Sequence, residues 1–80
     1  MKDNDSQMDA SLDLLRLLLS RLEKISADST WAHRASGVRG SLIRLLEKIE
    51  NGESVSESDL KRLMELGFYV LQKAAEEKLK

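Results

Sequence analysis

Trp31-Ala32-His33-Arg34-Ala35-Ser36-Gly37-Val38-Arg39-Gly40-Ser41-Leu42-Ile43-Arg44-Leu45-Leu46-Glu47-Lys48-Ile49-Glu50-Asn51 is the stretch that decides the fold. Trp31, Ala35, Val38, Leu42, Leu45, Leu46 and Ile49 recur at intervals that stack them on one face of an α-helix, at about 100° per residue. A half-buried strand would alternate apolar and polar residues, and this stretch does not. Polar clusters bound it on both sides, Ser26-Ala27-Asp28-Ser29-Thr30 before and Asn51-Gly52-Glu53-Ser54-Val55 after. Ser29 or Thr30 is the expected N-cap, because a side-chain oxygen there accepts one of the N–H groups that a first turn leaves free. Gly52 is the expected stop. The pattern predicts a helix over 31–51.

Working outward, Met8, Leu12, Leu15, Leu19 and Leu22 share one face of an earlier helix, predicted over 8–25. Leu14, Leu18 and Ile25 widen that face to an arc of roughly 160°, the width of a helix that touches two neighbours. Asp9 and Asp13 near its start and Arg21 and Lys24 near its end complement the helix dipole. Residues 1–7 are polar and read as a flexible leader. On the other side, Ser56 followed by Asp59 approximates a capping box and predicts a third helix over 57–76. Leu60, Leu63, Met64, Gly67, Val70, Leu71, Ala74 and Ala75 form its core face. Gly67 in that face predicts a close approach by a side chain of the second helix, such as Leu42. The short connections predict an all-α fold, a compact antiparallel three-helix bundle running up-down-up, as a single domain over 8–79. In that arrangement Trp31 falls near the C-terminal ends of the first and third helices, beside Ile25, Ala74 and Ala75.

Composition bounds the function. The chain has 80 residues, a net charge of −1 and no cysteine. That excludes disulfides, thiolate chemistry and cysteine-type zinc sites. No apolar run approaches the roughly 20 residues of a membrane span, the first residues do not resemble a signal peptide, and the expected location is cytoplasmic. His33 is the single histidine. Its helical neighbours Ser29, Thr30, Ser36 and Gly37 are poor ligands, so no metal site and no cofactor are expected. No spacing ties a nucleophile to a base, and the chain is not expected to be an enzyme.

Gly37 and Gly40 are the unusual feature. On the helical wheel they lie away from the core stripe, with His33, Ser36, Arg44 and Lys48. A glycine in an exposed helix interior costs about 1 kcal/mol relative to alanine, and two of them weigh heavily on a domain of this size. Between Ser29 and Leu46 there are three arginines, Arg34, Arg39 and Arg44, and no acid. One reading is a smooth strip, flanked by cations, against which another backbone or a phosphate comes close. Two other readings are open: a kink between short helices, or glycines that face the first or third helix after a slip of register. Leu17, Ile43, Phe68 and Tyr69 fall off the core faces and make a second set of candidate surface residues, with Leu66 at the edge.

The string Leu63-Met64-Glu65-Leu66-Gly67-Phe68 resembles the Met-Gly-Phe loop of ubiquitin-associated domains, which are also three-helix bundles. There it forms the first loop, and here it lies inside a late helical pattern, so no family is assigned from it. The expected function is a non-catalytic helical protein–protein interaction module, an adaptor or small subunit. It would bind a protein partner, or itself as a homodimer, through the outer face of the second helix. The alternative is a small nucleic-acid- or phosphate-binding module using Arg34, Arg39 and Arg44. A typical duplex binder carries a more basic balance than this chain, and no membrane partner is expected.

Overall fold

Three α-helices make up the structure, a computed structural model that describes residues 2–79 and their side chains from Ser11 to Leu79. They are α1 (Lys2–Glu23), α2 (Ala32–Glu50) and α3 (Glu57–Lys78), with no strand among the described residues. Each helix packs on both others. The ion pairs Arg16–Glu50 and Arg39–Glu23 set α2 antiparallel to α1. Leu18 meets Gly67, and the C-terminal residues of α1 and α3 line one groove, so those two helices run parallel. The up-down-up bundle follows. No described helix is long and apolar enough to cross a membrane.

The core is aliphatic. Leu15, Leu18 and Leu22 from α1, Val38 and Leu42 from α2, and Met64 and Val70 from α3 are buried together. Leu12, Ile25, Trp31, Leu46, Leu60, Leu63 and Leu71 pack around them. Among the described residues no polar side chain is buried. The cohesion of the bundle is therefore hydrophobic and dispersive, at roughly 25 cal/mol per Å² of apolar surface removed from water.

Helix ends depart from the sequence reading for local reasons. α1 starts at Lys2 rather than Met8 and ends at Glu23 rather than Ile25. From Lys2 on, the expected leader is part of α1, and the core role of Met8 falls on a side chain outside the described ones. At the other end, Lys24 N–H donates to the Arg21 carbonyl and Ile25 N–H to the Leu22 carbonyl, tightening the last turn. Ile25 leaves the helix yet still packs on the core. α2 starts at Ala32, with Trp31 in the capping position and no side-chain bond of its own to the first turn. Ser29 and Thr30 act one step earlier than expected. The Ser29 hydroxyl accepts from Trp31 N–H at 3.0 Å, and both residues are tied to Glu77 of α3.

That Glu77 contact was not expected. Its carboxylate accepts from the Ser29 hydroxyl at 2.6 Å, the Thr30 N–H at 3.1 Å and the Thr30 hydroxyl at 2.7 Å. The first turn of α2 holds no acid of its own, so α3 supplies the negative charge that a helix N-terminus favours. At the far end Gly52, at φ +81, closes α2. Gly52 N–H donates to the Ile49 carbonyl and Glu53 N–H to the Lys48 carbonyl, the Schellman pattern. Ser56 caps α3 as expected, its hydroxyl accepting from Asp59 N–H at 3.3 Å.

Several side chains sit elsewhere than their wheels predicted. A Cβ on Gly67 would lie 2.8 Å from Leu18 Cδ2. The close approach is real, but it comes from α1 and not from Leu42. Leu14 is 40% exposed because the buried face of α1 centres on Leu15, Leu18, Leu19 and Leu22. Ala75 is exposed on the groove between α1 and α3. Trp31 packs on the edge of the core, and its ring also makes an edge-to-face pair with Tyr69, the centroids 5.8 Å apart, which the wheels did not predict.

Candidate functional site

α2 is one continuous helix through both glycines, so no break between short helices explains them. Gly37 is exposed, and a Cβ built there would meet nothing within 4 Å. Gly40 is half-buried, yet the single atom near a Cβ there is a terminal nitrogen of Arg44, at 3.8 Å. Neither glycine faces α1 or α3. Alanine would fit at both positions by ordinary van der Waals criteria, and it is the better helix former.

Around this strip His33, Arg34, Ser36, Arg44 and Lys48 are exposed. Arg34 sits over the Trp31 ring at 5.7 Å from its centroid. Arg44 donates to the Ser41 hydroxyl at 3.2 Å, a bond that holds its guanidinium along the helix and over Gly40. Among the described residues, His33, Arg34, Arg44 and Lys48 form no ion pair. The result is a shallow cationic face whose side-chain cover is open at Gly37 and, at Gly40, consists of the Arg44 guanidinium alone.

Arg39 does not belong to that face. It is half-buried on the α1 side of α2, and its guanidinium lies 3.4 Å from the Glu23 carboxylate. Its wheel position is about 60° from the centre of the buried stripe, near enough for a long side chain to reach the neighbouring helix. Ser36 leans the same way and lines a small cleft with Arg39, Leu22 and Glu23.

The secondary residues divide. Leu17 and Phe68 are 49% and 44% exposed. Ile43 is packed on the core and drops out as a surface candidate, because α1 covers that flank of α2. Tyr69 is 45% exposed but not isolated. Its ring receives the edge contact with Trp31, and the Lys73 ammonium lies 5.6 Å from its centroid. Across the α2–α3 seam the Trp31–Tyr69 ring pair is thus flanked by a cation on each side, Arg34 over Trp31 and Lys73 over Tyr69. Contacts of this kind contribute about 0.5–1.5 kcal/mol per aromatic pair and about 0.5–1 kcal/mol per exposed cation–ring pair.

Two features escaped the sequence reading. The first is the Glu77 clamp, which a wheel cannot reveal because its partners lie 47 and 48 residues away. The second is a groove between the C-terminal halves of α1 and α3, with Ile25, Phe68, Leu71 and Ala75 along it and Arg21, Lys24 and Lys78 at its edge. Its one signal in the sequence was Phe68 at the margin of the α3 core face. Set beside known protein families, curated proteins and solved structures, the chain matches none of them.

Proposed function

We propose that this chain is a non-catalytic helical interaction module that binds a partner protein, or a second copy of itself, through the outer face of α2. The observation that carries the reading is the pair Gly37 and Gly40. Both are helical, both have room for a methyl group, and neither contacts another helix. Together they cost the free chain about 2 kcal/mol relative to alanine, and no contact within the bundle offsets this. A surface that must meet another backbone closely gives a reason for them, since each absent Cβ lets the two main chains approach. Arg44, Arg34 and Lys48 flank the strip and would set orientation and register.

The second reading is phosphate or nucleic-acid binding by the same face. It is supported by cations that have no carboxylate partner among the described residues. It ranks second because the chain as a whole carries a charge of −1.

A comparison of wild type with Gly37→Ala/Gly40→Ala and Arg44→Glu tests both. The immobilised chains are exposed to lysate of the source cells, with and without nuclease. The first reading expects a nuclease-resistant protein retained by wild type and lost with the alanine pair, although that variant melts higher. Nucleic acid expects a retained species that vanishes with nuclease or moderate salt and with Arg44→Glu. Equal retention by all three chains would place the binding surface elsewhere.

A further inference from the structure

We propose that the groove between α1 and α3 is a second docking site, and that its occupant is an acidic amphipathic helix of a partner protein. The helix lies antiparallel to α1 and α3, with its first turn between Arg21, Lys24 and Lys78. This does not rest on the α2 reading, since the two surfaces share no residue.

The geometry starts from the parallel pair. α1 and α3 close on each other where Leu18 fits the space over Gly67. Towards their C-terminal ends they leave a groove of about 580 Å³. Ile25, Leu71 and Ala74 form its floor and Phe68 its wall, and Phe68 is 44% exposed. On α1, Leu14 and Leu17 stand two turns and one turn before Arg21 on the same edge. They are 40% and 49% exposed. The apolar strip therefore continues beyond the groove along α1 for about 10 Å, the length of the seven residues from Leu14 to Arg21. A helix that laid leucine-sized side chains at i, i+3, i+4 and i+7 would cover it, filling the fourth position of a four-helix bundle.

Charge decides what kind of helix. Three cations line the groove and no acid does, in a chain whose acids outnumber its cations. None of the three has a carboxylate partner among the described residues. Their place at the ends of α1 and α3 suits the helix dipoles, but that alone does not gather them around one exposed phenylalanine. A helix with acids in its first turn, running antiparallel, sets its own favourable carboxylates between these cations and aligns its dipole against those of α1 and α3. A lysine-rich helix would meet like charge.

The test uses a displayed library of helical peptides about four turns long. Apolar residues stand fixed at one face, and Glu or Lys is free at every other position. Selection on the full chain should enrich glutamate in the first turn. A synthetic copy of the enriched peptide should bind wild type and lose at least about tenfold in affinity to Phe68→Glu. Gly37→Ala/Gly40→Ala should bind it unchanged, which keeps this site separable from the α2 face. Selection on Arg21→Glu/Lys24→Glu should enrich lysine in the same turn, a reversal that an unfolded variant cannot give. No enrichment over the bare support, equal use of Glu and Lys, or binding indifferent to Phe68→Glu would overturn the proposal. So would a self-association of wild type that Phe68→Glu abolishes, because the groove would then belong to a second copy.

Discussion

Gly37 and Gly67 carry the same side chain, a hydrogen atom, in opposite circumstances. At Gly67 a methyl group would meet Leu18 Cδ2 at 2.8 Å and two further Leu18 carbons at 3.2 Å. Leu18 is fully buried and has no free space to move into. Gly67→Ala should therefore destabilise the fold by about 1–3 kcal/mol, the usual cost of overpacking. At Gly37 the same methyl group would meet nothing. Gly37→Ala should stabilise by about 0.4–1 kcal/mol. Thermal melts of the two single variants should move in opposite directions. A lower midpoint for Gly37→Ala would remove the argument that this glycine serves something outside the chain. Trp31 falls between the two cases. It is half-buried against Tyr69 and the core edge, so Trp31→Ala should cost less than the roughly 3–5 kcal/mol of a fully buried indole.

Helices were legible in the sequence to the extent that their causes are local. The three apolar stripes, the Ser56 cap and the Gly52 stop each depend on residues within a turn or two of one another, and each stripe lies on a helix, although α1 starts six residues before its expected bound. Misplaced details depend on contacts between helices. Arg39 read as a cation of the outer face because a wheel has no partner helix, and Glu23 claims it from α1. Leu42 was matched to Gly67 because a wheel does not say which neighbour lies opposite, and Leu18 does. The start of α2 shifted because Glu77, from the far end of the chain, does part of the capping. That last point can be measured. Glu77→Ala removes an acceptor from three donors at the entry to α2 and should cost about 0.5–2 kcal/mol, the range of a lost N-cap. The amides of residues 30–34 should then exchange with solvent faster than those of α1. If Glu77→Ala leaves both stability and exchange at wild-type values, the three bonds are a surface contact of no consequence.

At the scale of the whole molecule, every helix contributes to one core and none has a second core to retreat to. Leu15, Leu42 and Val70, each fully buried and each from a different helix, belong to the same cluster. Removing any helix exposes the apolar faces of the other two, and isolated helices of this length are marginal in water. Loss of one should therefore mean loss of all. The extremities are joined as well, since Glu77 near the end of α3 holds the start of α2. Trp31 sits beside that clamp and against Tyr69, so its fluorescence reports on the α2–α3 seam. Far-ultraviolet ellipticity reports on all three helices together. In urea the two signals should trace one superimposable transition, the mark of two-state unfolding. A fluorescence change that precedes the loss of helix would mean that the seam opens alone and the clamp is weak. The same experiment bears on assembly. The buried cluster is complete within one chain, so the midpoint should stay fixed when protein concentration rises about a hundredfold. A second copy that supplied stabilising contacts would instead raise it by mass action. A concentration-independent midpoint means that whatever binds the α2 face or the α1–α3 groove meets a bundle that is already folded, and that its binding free energy is not consumed in folding this chain.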